Sequence, residues 1–260
     1  MTVDVTPLLS GRVEAFVLLF VRVTTLLAVA PIFGNRVVPV KVRILAGLAL
    51  AVTLLPLVPP IPVMRAATAG GLALLVANEV LLGLLLGLVA SVAFFGVLVA
   101  GQLIGLQMGF GIANVIDPSS ESQVAVTAEF QHLLFLCVFL ALNGHHVVIR
   151  ALGATLDRIP LGSFALDGRT MEAAARGSAE VFSVALRVGA PVIGFLFVTT
   201  LGLGIIARTV PQMNVFVLGF PLQIAGGLVV LLLALPSFRV VFEELTSRME
   251  GSLLAVVGVR

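Results

Sequence analysis

The chain has 260 residues, of which 60% are hydrophobic and 11% charged, and its mean hydropathy is +1.20. That composition excludes a soluble globular domain and describes a polytopic, all-α integral membrane protein. The formal net charge is only +2, Lys41 is the sole lysine, and no basic run points to nucleic acid.

Val13 to Phe33 reads as a first span. Ala28-Val-Ala30 has the small-x-small form of a leader cleavage site, but Pro31 would follow the cut, and Glu14 and Arg22 interrupt the apolar run. Arg22 would cost about 3 kcal/mol against lipid, so it is expected to face protein or water. Pro31-Ile-Phe-Gly34 is expected to end this helix. Asn35 to Arg43, with Arg36, Lys41 and Arg43, is the densest basic loop, which the positive-inside rule places in the cytoplasm. Ile44 to Leu57 forms the second span and runs into Pro56, Pro59, Pro60 and Pro62, where regular helix cannot continue.

The third span, about 68–100, contains Glu79 and a Gly83/Gly87 pair. Gly101, Gly105 and Gly109 then repeat at four-residue spacing, a groove into which another helix backbone can settle. No charge occurs from Val80 to Ile116. As one straight helix that run would be roughly 55 Å long, against a hydrocarbon core of about 30 Å. The chain is therefore expected to span and then break within a central loop at about 101–123. Irregular backbone at membrane depth survives only where it is buried in protein or lines a watery cavity, which points to a conduit. Within the loop, Asn114 and Asp117-Pro118 read either as a helix-breaking turn or as a movable closure.

The remaining spans are expected at roughly 129–149, 181–207 and 212–236, with a polar connection over 150–180 that carries a short helix at Met171–Glu180. Six spans put both termini outside. The whole chain, 1–260, reads as a single membrane domain of about six long, Pro/Gly-kinked helices. Arg239 to Arg260 reads as an amphipathic surface helix. Cys137 lies in an apolar run and is expected to be buried. Trp and Tyr are absent, so the usual aromatic belt is missing: either compositional drift, or a surface that partners cover.

Little here resembles enzyme chemistry. His145 and His146 are adjacent and lack the i, i+4 spacing of a helical metal pair. Ser119, Ser120 and Ser122 have no nucleophile-elbow glycines, and no phosphate-binding signature occurs. No catalytic residue, metal or cofactor is expected. Arg22, Glu79 and Arg187 are intramembrane charges, which either pair to fix helix register or line a path.

Three stretches resemble the FliR family of flagellar biosynthetic proteins, the export-gate family of type III secretion. They are Gln102-Leu-Ile-Gly-Leu-Gln-Met-Gly-Phe-Gly-Ile-Ala-Asn-Val-Ile-Asp-Pro118, Phe139-Leu-Ala-Leu-Asn-Gly-His-His146 and Val210-Pro-Gln-Met-Asn-Val-Phe-Val-Leu-Gly-Phe-Pro-Leu222. Ala30-Pro-Ile-Phe-Gly34, Val38-Pro39 and Lys41-Val-Arg43 fit as well, and the match runs in order from about Val13 to Pro236. One departure is Ser119-Ser-Glu-Ser122, where the resemblance leads one to expect a Gln-Ser-Gly-like run after Asp-Pro.

The resemblance implies helical hairpins in a pore-forming assembly of the bacterial inner membrane, at the flagellar basal body. FliP, FliQ, FlhB and FlhA homologues are the implied partners, alongside lipid, and unfolded flagellar subunits the implied cargo. It also implies that Gln107, Met108, Gly109, Phe110, Gly111, Ile112, Asn114, Asp117 and Pro118 belong to the plug. Glycines would free its backbone, while Met108, Phe110 and Ile112 would fill the closed channel. The turn carrying Arg208, Pro211, Asn214, Phe216, Gly219, Phe220 and Pro221 would face a partner. The rival reading is a small-solute secondary transporter using Glu79, Arg22 and Arg187, and a third is an intramembrane hydrolase.

Overall fold

The computed structural model describes residues 6–34, 38–58, 69–110, 126–165, 168–210, 212 and 214–257. Among them are seven α-helices and no strand. These are α1 (Thr6–Val29), α2 (Val40–Leu54), α3 (Ala69–Gln107), α4 (Val126–Ala141), α5 (Gly144–Arg158), α6 (Gly168–Thr209) and α7 (Val215–Val257). A 3₁₀ turn, Leu55–Leu57, closes α2 where Pro56 interrupts the ladder. Four helical stretches are long and apolar enough to cross a membrane, or five if α4 and α5 count as one broken span.

The chain groups into two compact units. The first holds Met1–Ser91, Asn143–Gly177 and Arg248–Arg260, and the second Val92–Leu142 and Ser178–Ser247. In the first unit, α1 buries Ala15, Leu18, Leu19, Arg22, Val23 and Leu26 at helical spacing. The Gly83/Gly87 pair of α3 lies directly on it. A Cβ at Gly83 would stand 2.7 Å from the Arg22 carbonyl oxygen, and one at Gly87 2.7 Å from Val29 Cβ. The Ser91 hydroxyl closes the same seam on the carbonyls of Val29 and Gly87. Helix α2 meets α1 through Gly47, over Thr24, and presents Val40, Leu45 and Val52 outward.

The span expected at 129–149 is broken. Asn143 adopts the left-handed conformation (φ 58°, ψ 29°), so the helix stops at Ala141 and restarts at Gly144. Beyond it, the stretch read as a polar connection is mostly helix. Val147, Val148, Ala151, Leu152 and Leu156 form the buried stripe of α5, and residues from Gly168 are the first turns of α6. The apolar i, i+3/i+4 pattern of α5 outweighs its charges, which fall on the opposite face. Asn143→Gly is expected to keep the stability, whereas Asn143→Val should lower it by about 1–2 kcal/mol, because a β-branched side chain resists the left-handed region. Thermal unfolding in detergent measures both.

In the second unit, α3 and α4 run antiparallel. Gly101 sits against the Ala128 backbone, and the Thr127 hydroxyl donates to the Gly101 carbonyl at 2.9 Å. Phe94 of α3 packs on Phe135 and Phe139, with ring centroids 4.4 and 5.2 Å away, and Phe135 passes the stack to Phe242 of α7 at 4.4 Å. Gly96 faces a different neighbour, Val184 of α6. The glycines of α3 therefore serve more than one neighbour, and α3 runs past the expected span end at 100 as far as Gln107, within the stretch where the break was expected. Helices α6 and α7 form an antiparallel hairpin: Gly226 receives the Phe195 ring, and Gln223 Nε2 donates to Thr200 Oγ1 at 3.1 Å. Pro191, Pro221 and Pro236 lie inside these helices without ending them. Cys137 is exposed on the outer face of α4, contrary to expectation: that helix is apolar all round, so hydropathy does not tell its faces apart.

Candidate functional site

The end of α3 is built by its own backbone. The Phe110 N–H donates to the Gly105 carbonyl at 3.0 Å and the Gly109 N–H to the Leu106 carbonyl at 3.1 Å. This crossed pair is a Schellman motif with Gly109 at its left-handed position, φ +91°. Glycine is required there by conformation and by space, since a Cβ would stand 2.6 Å from Phe220 Cδ1 of α7. Met108, expected to fill a channel, is instead wholly buried in this unit against Gly227 of α7. Gln107 is half-buried, and its buried Oε1 accepts no hydrogen bond. Phe110 is half-buried. Gly111, Ile112, Asn114, Asp117 and Pro118 lie outside the described residues, as does Pro211.

The turn between α6 and α7 starts from exposed Arg208 in the last turn of α6. Asn214 caps α7: its carbonyl and its Oδ1 both accept from the Val217 N–H, at 3.1 and 3.4 Å. Phe216 falls in the first turn of α7 and Pro221 lies exposed two turns in, while Gly219 is buried close to Leu203. Phe220, expected at a partner-facing surface, is half-buried over Gly109.

The first unit holds a separate polar cluster in which the side chains of Arg22, Glu79 and Thr155 are wholly buried. Arg22 grips Glu79 with two donors, Nε to Oε2 and Nη2 to Oε1, the planar fork that guanidinium makes with carboxylate. Its Nη1 donates to Thr155 Oγ1 at 3.0 Å and its Nη2 to the Ile159 carbonyl at 3.2 Å. Glu79 Oε1 also accepts the Gly162 N–H. That glycine, at φ +74°, takes the third position of a turn closed by Ser163 N–H to the Pro160 carbonyl at 3.1 Å, the pattern of a type II turn. Asn78 Nδ2 holds the Gly162 carbonyl at 3.3 Å. Helices α1, α3 and α5 and the turn after α5 are thus tied at one point. Arg22 and Glu79 are both fully buried and satisfied by each other and by protein groups, which leaves neither poised for a solute.

Arg187 is placed differently. It pairs with Glu244 of α7 at 3.2 Å, and both side chains are nearly half exposed, 45% and 48%. Such a pair is worth little in solvent. Glu244→Gln is expected to change the unfolding free energy of the detergent-solubilised chain by less than about 1 kcal/mol, which chemical denaturation reads.

Sequence reasoning missed the Phe220–Gly109 and Met108–Gly227 contacts, and the roles of Thr155 and Gly162. The available signal was Ala225-Gly226-Gly227 in α7, two adjacent small positions aimed at two neighbours, Phe195 and Met108.

Residues 13–249 match the family described as bacterial export proteins, family 1. The chain is 36% identical over 252 residues to the flagellar biosynthetic protein FliR of Bacillus subtilis (strain 168), covering 94% of this chain and 96% of that protein. It is 32% identical to the FliR of Escherichia coli (strain K12), over 91% and 90% of the two chains, and 30% identical to that of Aquifex aeolicus (strain VF5), over 86% of each. A match over nearly the full length of both chains places this chain in the FliR family of flagellar export proteins.

Proposed function

We propose that this chain is a pore-forming subunit of the flagellar type III export gate, which passes unfolded flagellar subunits across the inner membrane together with FliP-, FliQ-, FlhB- and FlhA-like partners. The observation that carries the reading is helix length combined with exposure. Helices α3, α6 and α7 have 39, 42 and 43 residues. At 1.5 Å per residue they are about 58 to 65 Å long, roughly twice the hydrocarbon thickness. Tilt alone would have to reach about 60°, beyond the range of membrane helices. Only 11% of the most apolar stretch of α6 and 22% of that of α7 is buried within the chain. Lipid tails cannot cover rods of that length, so sister polypeptides are the cover that fits. In this reading the residues following α3 close the pore, with Phe110 at their start and Met108 as the anchor.

The Arg22–Glu79 cluster gives the transporter reading no support, because its charges are occupied by each other. Purification of the tagged chain from its native membrane tests the assignment. FliP- and FliQ-like proteins are expected to come with it in a stable complex. A lone, stably folded monomer that moves solutes unaided would overturn it.

A further inference from the structure

We infer that α2, with the 3₁₀ turn that closes it, is the span by which this chain meets lipid, and that the cations at its start seat it against a layer of anionic phospholipid headgroups. The inference concerns the first unit alone and does not depend on the export reading.

Length singles α2 out. Val40–Leu57 holds 15 α-helical and three 3₁₀ residues. That makes it about 28 Å long, close to a hydrocarbon core of about 30 Å. The other three stretches long and apolar enough to span have 38, 40 and 40 residues. Exposure points the same way. Only 11% of Val40–Leu57 is buried, against 67% of the most apolar stretch of α3. The buried positions of α2 are Gly47 and Ala51, one turn apart, and a Cβ on Gly47 would stand 2.7 Å from Thr24 Oγ1 of α1. Two small residues thus set α2 close on α1 along one narrow line. Leu45, Leu48 and Val52, exposed at helical spacing, form an apolar face turned away from that line. After Arg43 the one polar side chain of α2 is Thr53, and its hydroxyl donates to the Ala49 carbonyl at 2.8 Å. The open face therefore needs no water.

Charge gives the occupant. Lys41 and Arg43 fall in the first turn of α2, which has no acidic residue, and no further charge occurs from Ile44 to Met64. Both cations sit at the positive end of the helix dipole, where cations are disfavoured. An anionic surface outside that end offsets the cost. Lys41 is exposed and lies one turn before Leu45 on the same stripe. Its ammonium can reach the headgroups while the apolar face below it meets acyl chains. A protein cover has no reason to match the hydrocarbon thickness and to stop where the charge begins, whereas a bilayer demands both.

The test replaces Leu45, Leu48 or Val52, one at a time, with the photo-crosslinking residue p-benzoylphenylalanine in the tagged full chain. The cells are grown on radioactive phosphate and illuminated with the chain in its native membrane. All three positions are expected to take up labelled phospholipid and to give no larger protein adduct. Val198 of α6, 66% exposed, carries the same probe for comparison and should cross-link to protein. Protein adducts at the α2 positions, or phospholipid at none of them, would overturn the inference. Phospholipid at α2 and at Val198 alike would uphold it and count instead against the cover by sister polypeptides. The headgroup arm uses the purified complex in vesicles of equal phosphatidylglycerol and phosphatidylcholine. Adducts at Leu45 are expected to favour phosphatidylglycerol about fivefold, the weight of one lysine near an anionic surface. Lys41→Gln should lower that ratio several-fold and Lys41→Arg should keep it. A ratio that Lys41→Gln leaves unchanged would overturn the headgroup contact.

Discussion

Replacing Glu79 with alanine is expected to destabilise the chain by about 3–5 kcal/mol, because it leaves a buried guanidinium without its counter-charge. Arg22 has no route to water, being fully buried, and its remaining partners, Thr155 Oγ1 and the Ile159 carbonyl, are neutral dipoles. The Gly162 N–H loses its acceptor in the same stroke. Arg22→Leu should cost a similar amount by stranding the carboxylate. The double replacement Arg22→Leu/Glu79→Leu should recover much of the loss, since apolar groups of similar volume often substitute for a buried pair at little cost. Recovery should stop short of complete, because Gly162 N–H and the Ile159 carbonyl still lack partners. Thermal unfolding and protease resistance in detergent, across the three variants, measure this. A Glu79→Ala chain as stable as the parent would show that the cluster does not hold these helices together.

Deleting Gly109–Asn114 is expected to make the membrane permeable to ions wherever the complex assembles. The deletion removes the left-handed corner of α3 and the apolar Phe110 and Ile112 beyond it, and with them the side chains that would exclude water from a closed channel. Apolar constrictions seal by dewetting, so in the proposed gate the barrier would rest on apolar side chains and not on a charged filter. The α3–α4 seam at Gly101 and Ala128 and the Phe94–Phe135–Phe242 stack lie outside the deletion, so the second unit should keep its core. Proton or dye leakage in vesicles bearing the assembled complex is the measurement. Unchanged conductance would remove the closure from these residues.

The glycine spacing of α3 announced close helix approach, and that is what Gly83, Gly87, Gly96 and Gly101 provide. What spacing does not carry is the identity of each neighbour, and two of them turn out to be α1 and two the partners of the second unit. The opposite charges of Arg22 and Glu79 were legible as a possible pair. Their remaining partners were not, since two of these are backbone groups of a turn that has no apolar period. The residues around Arg187 are apolar, which points to an intramembrane charge, and Pro236 suggests a span end ahead of its partner Glu244. In a long helix braced by neighbours, proline loses one backbone bond without ending the element, so α7 carries on to Val257. The contact of Phe220 with Gly109 joins positions 111 apart with no charge or period in common, and only the folded backbone reveals it.

The buried arginine cluster also sets a schedule for how the chain is made. Arg22 and Glu79 are 57 positions apart, and Arg22 and Thr155 are 133 apart. At about 5–20 residues per second on the ribosome, the carboxylate follows the guanidinium by roughly 3–11 s and the hydroxyl by roughly 7–27 s. Throughout that interval the nascent first helix carries a guanidinium without its counter-charge. The first helix can therefore reach its final packing only after the later segments have emerged.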